Sequence, residues 1–419
     1  MTDSHIMDNE YVENARWSAI TAAQQVPDAK FLLFTGDFVE TGTEQNSEWE
    51  WEQWFEVSMK PLLSRMALAP TDGNHDDTPN LNYTYHFNTD KTFNETATVK
   101  PQFDGITYSF VYGDALFMVY SHQDFWRGSY SYANGTSTYL SNDVANWFRD
   151  QVEKYPDTKW RIAAVHKNLF TGSGHQTDED GALFRATLLP VFQELNIDFV
   201  IQGHDHIYEV MGPINNTTKT IVPGSVTNVE LVSPDSNKNP KGQQGGTFNV
   251  KDGTLYFVNG TCGRKRYYPY TQDEMEAGFD KHKVEGYWDL FTGKYGQPGA
   301  PAFSEISVSS SEIEVKTYTS DANAQATLFD TFKIVKNGNT GIEENKQSAK
   351  LYPTYAKDKI NTTESDIIRV NAIDLTGKIY PLPFDNQHID VSNLTDGIYV
   401  VQIFTNEKTR SERIVKTSR

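Results

Sequence analysis

Leu68-Ala69-Pro70-Thr71-Asp72-Gly73-Asn74-His75-Asp76 is the stretch on which the reading of this chain turns. A short apolar run gives way to a glycine, and then to an amide, an imidazole and a carboxylate in succession. Such an order suits the tight loop at the end of a buried strand, where side chains can converge on a metal-bound anion. Asparagine is a poor default ligand. It becomes useful where a site needs an oxygen donor without added negative charge, because a phosphate substrate brings its own. His75 is then free to face that substrate, and Asp76 can orient or polarise its ring through the second imidazole nitrogen. A polar surface turn is the competing reading, and the segments on either side decide between the two.

Upstream, small and apolar residues recur at helical spacing from Tyr11 to Gln25, and Pro27-Asp28 ends that segment. Phe31-Leu32-Leu33-Phe34 then reads as a short buried strand delivering Thr35-Gly36-Asp37. Glu48 to Leu63 is a tryptophan-rich amphipathic segment, and Met66 to Ala69 is the strand that delivers the quoted loop. Downstream, Phe103 to Tyr120 forms two apolar pieces around Tyr112-Gly113-Asp114, a hairpin signal. Asp143 to Val152 reads as helix. Lys159 to Val165 is a buried strand ending on His166, Leu183 to Leu195 is helical, and Ile197 to Gln202 is a strand ending in Gly203-His204-Asp205-His206. This is the strand and helix alternation of an α/β fold with a sheet covered on both faces. Beyond Gly253 the pattern becomes all-β, with Thr254 to Asn259, Ala302 to Val308, Ile313 to Tyr318 and Leu328 to Val335 as strands of a second sheet.

Composition narrows the function. The 419 residues carry a formal net charge of −19, which repels nucleic-acid backbones and acidic membrane surfaces. Aromatic residues make up 13% of a chain that is 37% hydrophobic, as expected of a globular protein rather than a disordered one. A single cysteine, Cys262, excludes an intrachain disulfide and any cysteine-built metal cage. No run of about 18 apolar residues is present, so the sequence predicts no transmembrane helix. Met1-Thr2-Asp3-Ser4-His5 has neither the basic segment nor the apolar core of a signal peptide and has no strand ahead of it, so the expectation is of a chain lacking its first strand.

Collecting the strand ends gives Asp3, His5, Asp37, Asn74, His75, His166, His204 and His206. Strand alternation would put His204 and His206 on one side with Asp205 opposite, presenting two imidazoles to adjacent ions. Nitrogen and carboxylate donors without thiolate suit Fe, Zn, Mn or Co. Seven ligands exceed what one tetrahedral ion takes, whereas two ions bridged by one carboxylate would use them all.

Asp3-Ser4-His5, Gly36-Asp37, Gly73-Asn74-His75-Asp76, the lone His166 and Gly203-His204-Asp205-His206 resemble, in order, the motifs of the calcineurin-like metallophosphoesterase superfamily, in particular its purple-acid-phosphatase-like branch. The resemblance covers residues 1–336. It implies a four-layer α/β/β/α sandwich of two mixed sheets and a binuclear, metal-dependent hydrolase of phosphate esters. Asp3, His5 and His206 would hold one metal and Asn74, His166 and His204 the other, with Asp37 bridging. A metal-bridging hydroxide would attack phosphorus in line, assisted by His75. Purple acid phosphatases carry a tyrosine three residues after the Gly-Asp aspartate, and Glu40 stands there in this chain. A colourless enzyme with a different metal pair follows, with Glu40 itself a candidate ligand. His175, weighed against a solvated loop histidine, and His122, which follows an apolar strand, are further candidates for substrate contact. The two cations of Gly260-Thr261-Cys262-Gly263-Arg264-Lys265 suit either a substrate anion or a solvated turn.

Asn337 to Ser348 has lost its apolar content and reads as a linker spanning 337–348. The remainder, 349–419, has short alternating strands at Ile367 to Ile373, Gly397 to Phe404 and Thr409 to Val415, as expected of a small β-sandwich. Leu351-Tyr352-Pro353-Thr354, Asp374-Leu375-Thr376-Gly377-Lys378 and Leu394-Thr395-Asp396-Gly397-Ile398-Tyr399-Val400 resemble the C-terminal sorting domain of the type IX secretion system of Bacteroidetes. That resemblance implies a secreted, periplasmic or cell-surface protein and a secretion machinery as partner. The function opposed to the enzyme is a catalytically inactive relative acting as a secreted or surface binding protein.

Overall fold

The computed structural model describes residues 1–42, 44, 47–76, 82–89, 106–122, 138–231, 243–336, 355–362, 366–374, 376, 378–385, 388–405 and 409–418. The chain parts into two compact units, Met1–Thr340 and Gly341–Arg419, each with a core of its own.

The first helix, Asn9–Gln25, begins where the Asp8 carboxylate accepts the Glu10 and Tyr11 amides, and it ends two residues before Pro27. Its buried face is small, with Ala15, Ala19 and Ala22, so it lies close on the strands beneath. The strands β1 (Phe31–Phe34) and β2 (Ala67–Pro70) pair in parallel. Five more follow in the amino-terminal half: β3 (Tyr108–Tyr112), β4 (Ala115–Val119), β5 (Trp160–Ala164), β6 (Phe199–Gln202) and β7 (Tyr208–Asn215). β3 and β4 form the expected hairpin, and β4, β5 and β6 run parallel. Every residue of β4 and of β6 is buried, because this sheet is covered on both faces.

Two mixed sheets stack face to face. The larger places Tyr295–Gly296, β7, Thr254–Asn259, β6, β5, β4 and β3 side by side, and the smaller orders Ala302–Val308, Glu312–Ser320, Ala326–Val335, Thr247–Asn249 and Val226–Thr227. Phe117, Ile162, Ile201 and Phe257 from one sheet meet Ile313, Val315 and Phe332 from the other. On the outer face of the larger sheet, Trp147, Phe148, Phe184, Leu188 and Phe192, from helices Thr138–Lys154 and Glu179–Glu194, close a second core. Asn9–Gln25 and the tryptophan segment cover β1, Phe303 and Tyr318. The order helix, sheet, sheet, helix is the four-layer arrangement that the family resemblance implies.

Three expectations need correction. Thr254–Asn259 belongs to the larger sheet, parallel to β6 and antiparallel to β7. All six of its residues are buried, the mark of a central strand rather than of an alternating one in a second sheet. The region after Gly253 is not all-β, since it holds helices Gln272–Ala277 and Phe279–His282. The first of these starts on a reciprocal Thr271 and Glu274 capping box legible in the sequence. Glu48 to Leu63 is not one helix. Glu48–Gln53 passes into a π-helical turn at Trp54–Ser58 and resumes at Lys60–Leu63, because Pro61 lacks an amide proton and its ring crowds the carbonyl four residues earlier.

A cavity of about 510 Å³ is lined by β1, Ala302–Val308, Ile201 and Phe257, with Met1 and Thr35 among its walls. At its edge, Met1 to Asp3 runs alongside β1: the Met1 ammonium donates to the Leu33 carbonyl, the Thr35 amide to that of Met1, and the Asp3 amide to that of Gly36.

The second unit is strand-rich. Tyr355–Ala356, Thr409–Lys416, Gly397–Thr405, Ile367–Asp374 and Ile379–Pro381 make one sheet, and Lys359–Asn361 pairs with His388–Asp390 in another. Tyr399, Val401 and Ile403 point inward from Gly397–Thr405 while Ile398 and Val400 point out, as the alternation predicted. The linker segment and Leu351-Tyr352-Pro353-Thr354 lie outside the described residues, as do Leu375 and Gly377.

One buried charge in the fold sets a pH dependence. Asp198 accepts the Arg161 amide and pairs with Lys336 at 2.7 Å, yet burial outweighs both and pushes its carboxyl up to about 6. A carboxyl raised on folding stabilises below its unfolded value and loses that contribution as pH climbs toward the folded one. Asp198→Asn should therefore gain on the wild type between about pH 4 and pH 6, by on the order of 3 kcal/mol. Denaturant unfolding across that range measures it; parallel curves for the two proteins would refute it.

Candidate metal centre

The polar ends of the parallel strands lie together at one end of the amino-terminal unit, and the loops that follow them are held by tight backbone geometry. Asp3, His5, Asp37 and His204 all sit in the left-handed region, with φ of 57°, 47°, 52° and 68°. Non-glycine residues adopt that region at a cost and collect at functional sites. Gly73 serves another need: a Cβ there would stand 2.1 Å from the Asp37 amide nitrogen, so the two loops touch backbone to backbone.

Asp37 is the centre of the cluster. Its Oδ2 lies 3.2 Å from His5 Nε2 and 3.1 Å from His166 Nε2, and its Oδ1 accepts the His75 amide at 3.0 Å. On one side, Asp3, His5, Asp37 and His206 bring one donor atom each within 4.8 Å of one another; on the other, Asp37, His166 and His204 do the same. His206 Nε2 is 3.3 Å from Asp3 Oδ1 and 3.1 Å from His5 Nε2, and Asn74 Oδ1 is 3.1 Å from His166 Nε2. His166 is oriented by its Nδ1 against the Thr35 carbonyl at 2.7 Å. Five of the other six proposed ligands thus group directly with Asp37, and Asn74 joins them through His166. His204 Nε2 is buried without a hydrogen-bond partner, which fits a lone pair reserved for an ion.

Protons carry the positive charge when the protein stands alone. Burial would lower His5 and His166, but the Asp37 charge, with bonds to Asp3 and Glu40 for His5, raises each to about 9. His206 falls to about 4 and His204 falls well below the usual imidazole range, both through burial. Two imidazoliums therefore offset the buried carboxylates, while two neutral imidazoles stand ready as donors.

His75 is 28% exposed, and its Nδ1 meets the Glu40 carbonyl at 2.7 Å. That contact corrects the expectation for Asp76. The Asp76 carboxylate does not hold the His75 ring; it accepts the amides of Asp37, Phe38, Val39 and Gly73 at 2.7 to 3.4 Å, tying the two site loops together. His204 and His206 do face adjacent donor groups, but not by strand alternation. The backbone turns sharply at His204, the Asp205 amide returns to the Gly203 carbonyl, and the Asp205 carboxylate binds the Thr171 hydroxyl and the His175 amide.

His175 reaches the site, its ring centroid 3.8 Å from that of His204 and its Nδ1 2.7 Å from Asp178. His122 is wholly buried, 5.5 Å from His166 between ring centroids, a ring packed behind the cluster rather than one open to solvent. Gly260 to Lys265 is neither a solvated turn nor a free anion clamp. Thr261 Oγ1 donates to the Asp3 carbonyl, the Cys262 amide donates to that of Thr2, Arg264 pairs with Glu10 and Lys265 with Glu40. Sequence reasoning missed Tyr267, which stacks on His206 at 4.3 Å and 7° and walls that side of the cluster. A tyrosine two residues beyond a cationic turn carries no signal of its own.

Residues 1–208 match the calcineurin-like phosphoesterase family, and residues 350–417 match the secretion system C-terminal sorting domain. The chain carries a calcineurin-like phosphoesterase domain followed by a sorting domain. It is 25% identical over 206 residues to an uncharacterized protein of Mycobacterium tuberculosis, covering 46% of this chain and 37% of that one. It is 26% identical over 176 residues to purple acid phosphatase 5 of Arabidopsis thaliana, covering 42% and 34%. The chain thus spans about a third of the length of these relatives. Among solved structures it is similar to the purple acid phosphatase from yellow lupin (Lupinus luteus) seeds, with a TM-score of 0.51 at 15% identity over 81% of this chain and 53% of that one. At that identity the likeness speaks for the fold alone.

Asp76→Ala would strip four buried amides of their acceptor. It should lower the stability of the metal-free protein by more than about 3 kcal/mol, whereas His75→Ala, at a half-open position, should cost less than about 1 kcal/mol. Denaturant melts of the two variants test this, and equal losses would contradict it.

Proposed function

We propose that the amino-terminal unit is a binuclear metal-dependent hydrolase of phosphate esters. The observation that carries this reading is the shared oxygen of Asp37, held 3.2 and 3.1 Å from two imidazole nitrogens on opposite flanks. Asp3, His5 and His206 would hold one ion with it, and Asn74, His166 and His204 the other. Nitrogen and oxygen donors without thiolate favour Fe, Zn or Mn. Ions bound there supply Lewis-acid charge for the phosphate oxygens and a water of lowered pKa.

The chain's own groups do the rest. Asn74 adds a neutral donor where a phosphate brings negative charge. With its Nδ1 on the Glu40 carbonyl, the His75 ring keeps Nε2 for the substrate, to stabilise developing charge or pass a proton to the leaving oxygen. His175, braced by Asp178, faces the same space from the His204 side. Tyr267 covers His206 and keeps water from that flank. A binding-only relative would have no use for so many buried ionisable donors, whose desolvation is costly without an ion.

We further propose a division into a catalytic domain over 1–336, a linker over 337–348 and a sorting domain over 349–419 that directs export through a secretion machinery. The match over 350–417 supports this. No described helix is long and apolar enough to cross a membrane.

Asp37→Asn should loosen both ions and abolish hydrolysis of a chromogenic phosphate ester, since a neutral amide bridges two cations poorly. His75→Ala should keep both ions and lower kcat about 10²-fold or more. Metal analysis beside steady-state kinetics separates them; a His75→Ala protein short of metal would make His75 a ligand.

Truncation after Lys336 should leave specific activity unchanged while abolishing export from the native cell. Activity assays and cell fractionation read the two effects, and loss of activity on truncation would make the second unit part of the catalytic core.

A further inference from the structure

We propose that Glu40 is a positioning residue that sets the ring orientation and tautomer of two site histidines at once, through its carboxylate and its carbonyl. This rests on the reading of His5 as a metal ligand.

His5 is 1% exposed, and its two nitrogens face different partners. Nδ1 meets Glu40 Oε2 at 2.5 Å, while Nε2 faces Asp37 Oδ2 at 3.2 Å, His206 Nε2 at 3.1 Å and Asp3 Oδ1 at 3.8 Å. The lone-pair directions of the two ring nitrogens diverge. An oxygen on the Nδ1 axis therefore cannot lie within bonding distance of an ion on the Nε2 axis. Glu40 is thus excluded as a ligand to the ion that His5 holds, even though its carboxylate belongs to the cluster with His5 and His75. What it does instead is accept the Nδ1 proton, which fixes Nε2 as the donor and makes the imidazole a stronger base toward a cation.

The same residue acts a second time through its backbone. The Glu40 carbonyl takes the His75 Nδ1 proton at 2.7 Å, leaving His75 Nε2 unprotonated or able to carry a proton toward the open side. The Glu40 amide donates to the Ile6 carbonyl at 3.1 Å, so the residue is tied to the strand end that bears His5. Lys265 Nζ lies 3.4 and 3.5 Å from the two carboxylate oxygens and holds the group from the solvent side. Side-chain replacement removes the hold on His5 and spares the hold on His75, which separates the two roles experimentally.

The test compares wild type, Glu40→Gln, Glu40→Ala, Lys265→Met and His5→Ala, using Mn²⁺ and Zn²⁺ in competition with a fluorescent chelator, together with long-range ¹H–¹⁵N spectra of the histidine rings in Zn²⁺-loaded protein. Glu40→Ala should weaken one of the two ions about 10- to 100-fold and leave the other unchanged. The His5 Nδ1–H signature should be lost while that of His75 persists. Glu40→Gln keeps an oxygen acceptor at near-equal size and should recover most of the affinity; Lys265→Met should fall between Glu40→Gln and wild type. The proposal is overturned if Glu40→Ala binds both ions as wild type does, or if Glu40→Gln and Glu40→Ala lose the same ion completely, as a direct ligand would. His5→Ala guards the premise. If that variant keeps both ions at full affinity, the ligand assignment has failed independently of Glu40.

Discussion

The structure depends on keeping one buried carboxylate, Asp37, pinned at the meeting point of two imidazole sets. Its backbone is in the left-handed region, and a residue in that conformation stays there only if its surroundings over-determine it. Asp76 does this by taking the amides of Asp37, Phe38 and Val39 from one loop and of Gly73 from the other. One buried carboxyl group shared as acceptor among amides of two loops ties both loops to a single point. The geometry of the cluster is thus set by a fully buried group that is not one of its candidate ligands.

The two-sheet scaffold explains why the donors converge. β1 runs parallel to β2 in a small pair of their own and β5 parallel to β6 in the larger sheet, and the polar ends of all four meet at the cluster. Each carries its donors only in the first few residues beyond the last ladder bond. The apolar faces between the sheets, with Phe117, Phe257 and Phe332 in contact, hold those strand ends at fixed heights. Packing of that density transmits little slack, so distances near 3 Å at the cluster follow from a core well removed from it.

Most of this arrangement was legible before any coordinates. Gly73-Asn74-His75-Asp76 and Gly203-His204-Asp205-His206 announce themselves because glycine, imidazole and carboxylate are rare neighbours at the end of an apolar run. Parallel strands buried on both faces read as unbroken apolar stretches. Three kinds of information were hidden. The place of Thr254–Asn259 in the larger sheet depends on pairing, which a fully apolar strand does not encode. The partner of Asp76 depends on which amides a neighbouring loop leaves bare, a property of φ at Asp37 rather than of residue type. Tyr267 reaches His206 only because a long excursion folds back, and sequence separation conceals that.

Thr261, at the end of a strand laid down late in the chain, donates its hydroxyl to the carbonyl of Asp3 across a separation of 258 residues, and the Cys262 amide binds Thr2 beside it. This makes the cluster strongly non-local. Loop-closure entropy must be met before such a contact forms, and topologies rich in distant contacts assemble slowly. Until Thr261 is made, the Asp3 carbonyl lacks this partner, and Asp3 is held by the Gly36 carbonyl and the His204 amide. The cluster is therefore among the later parts of the amino-terminal unit to reach its final geometry, because its first loop is closed by a residue 258 positions away.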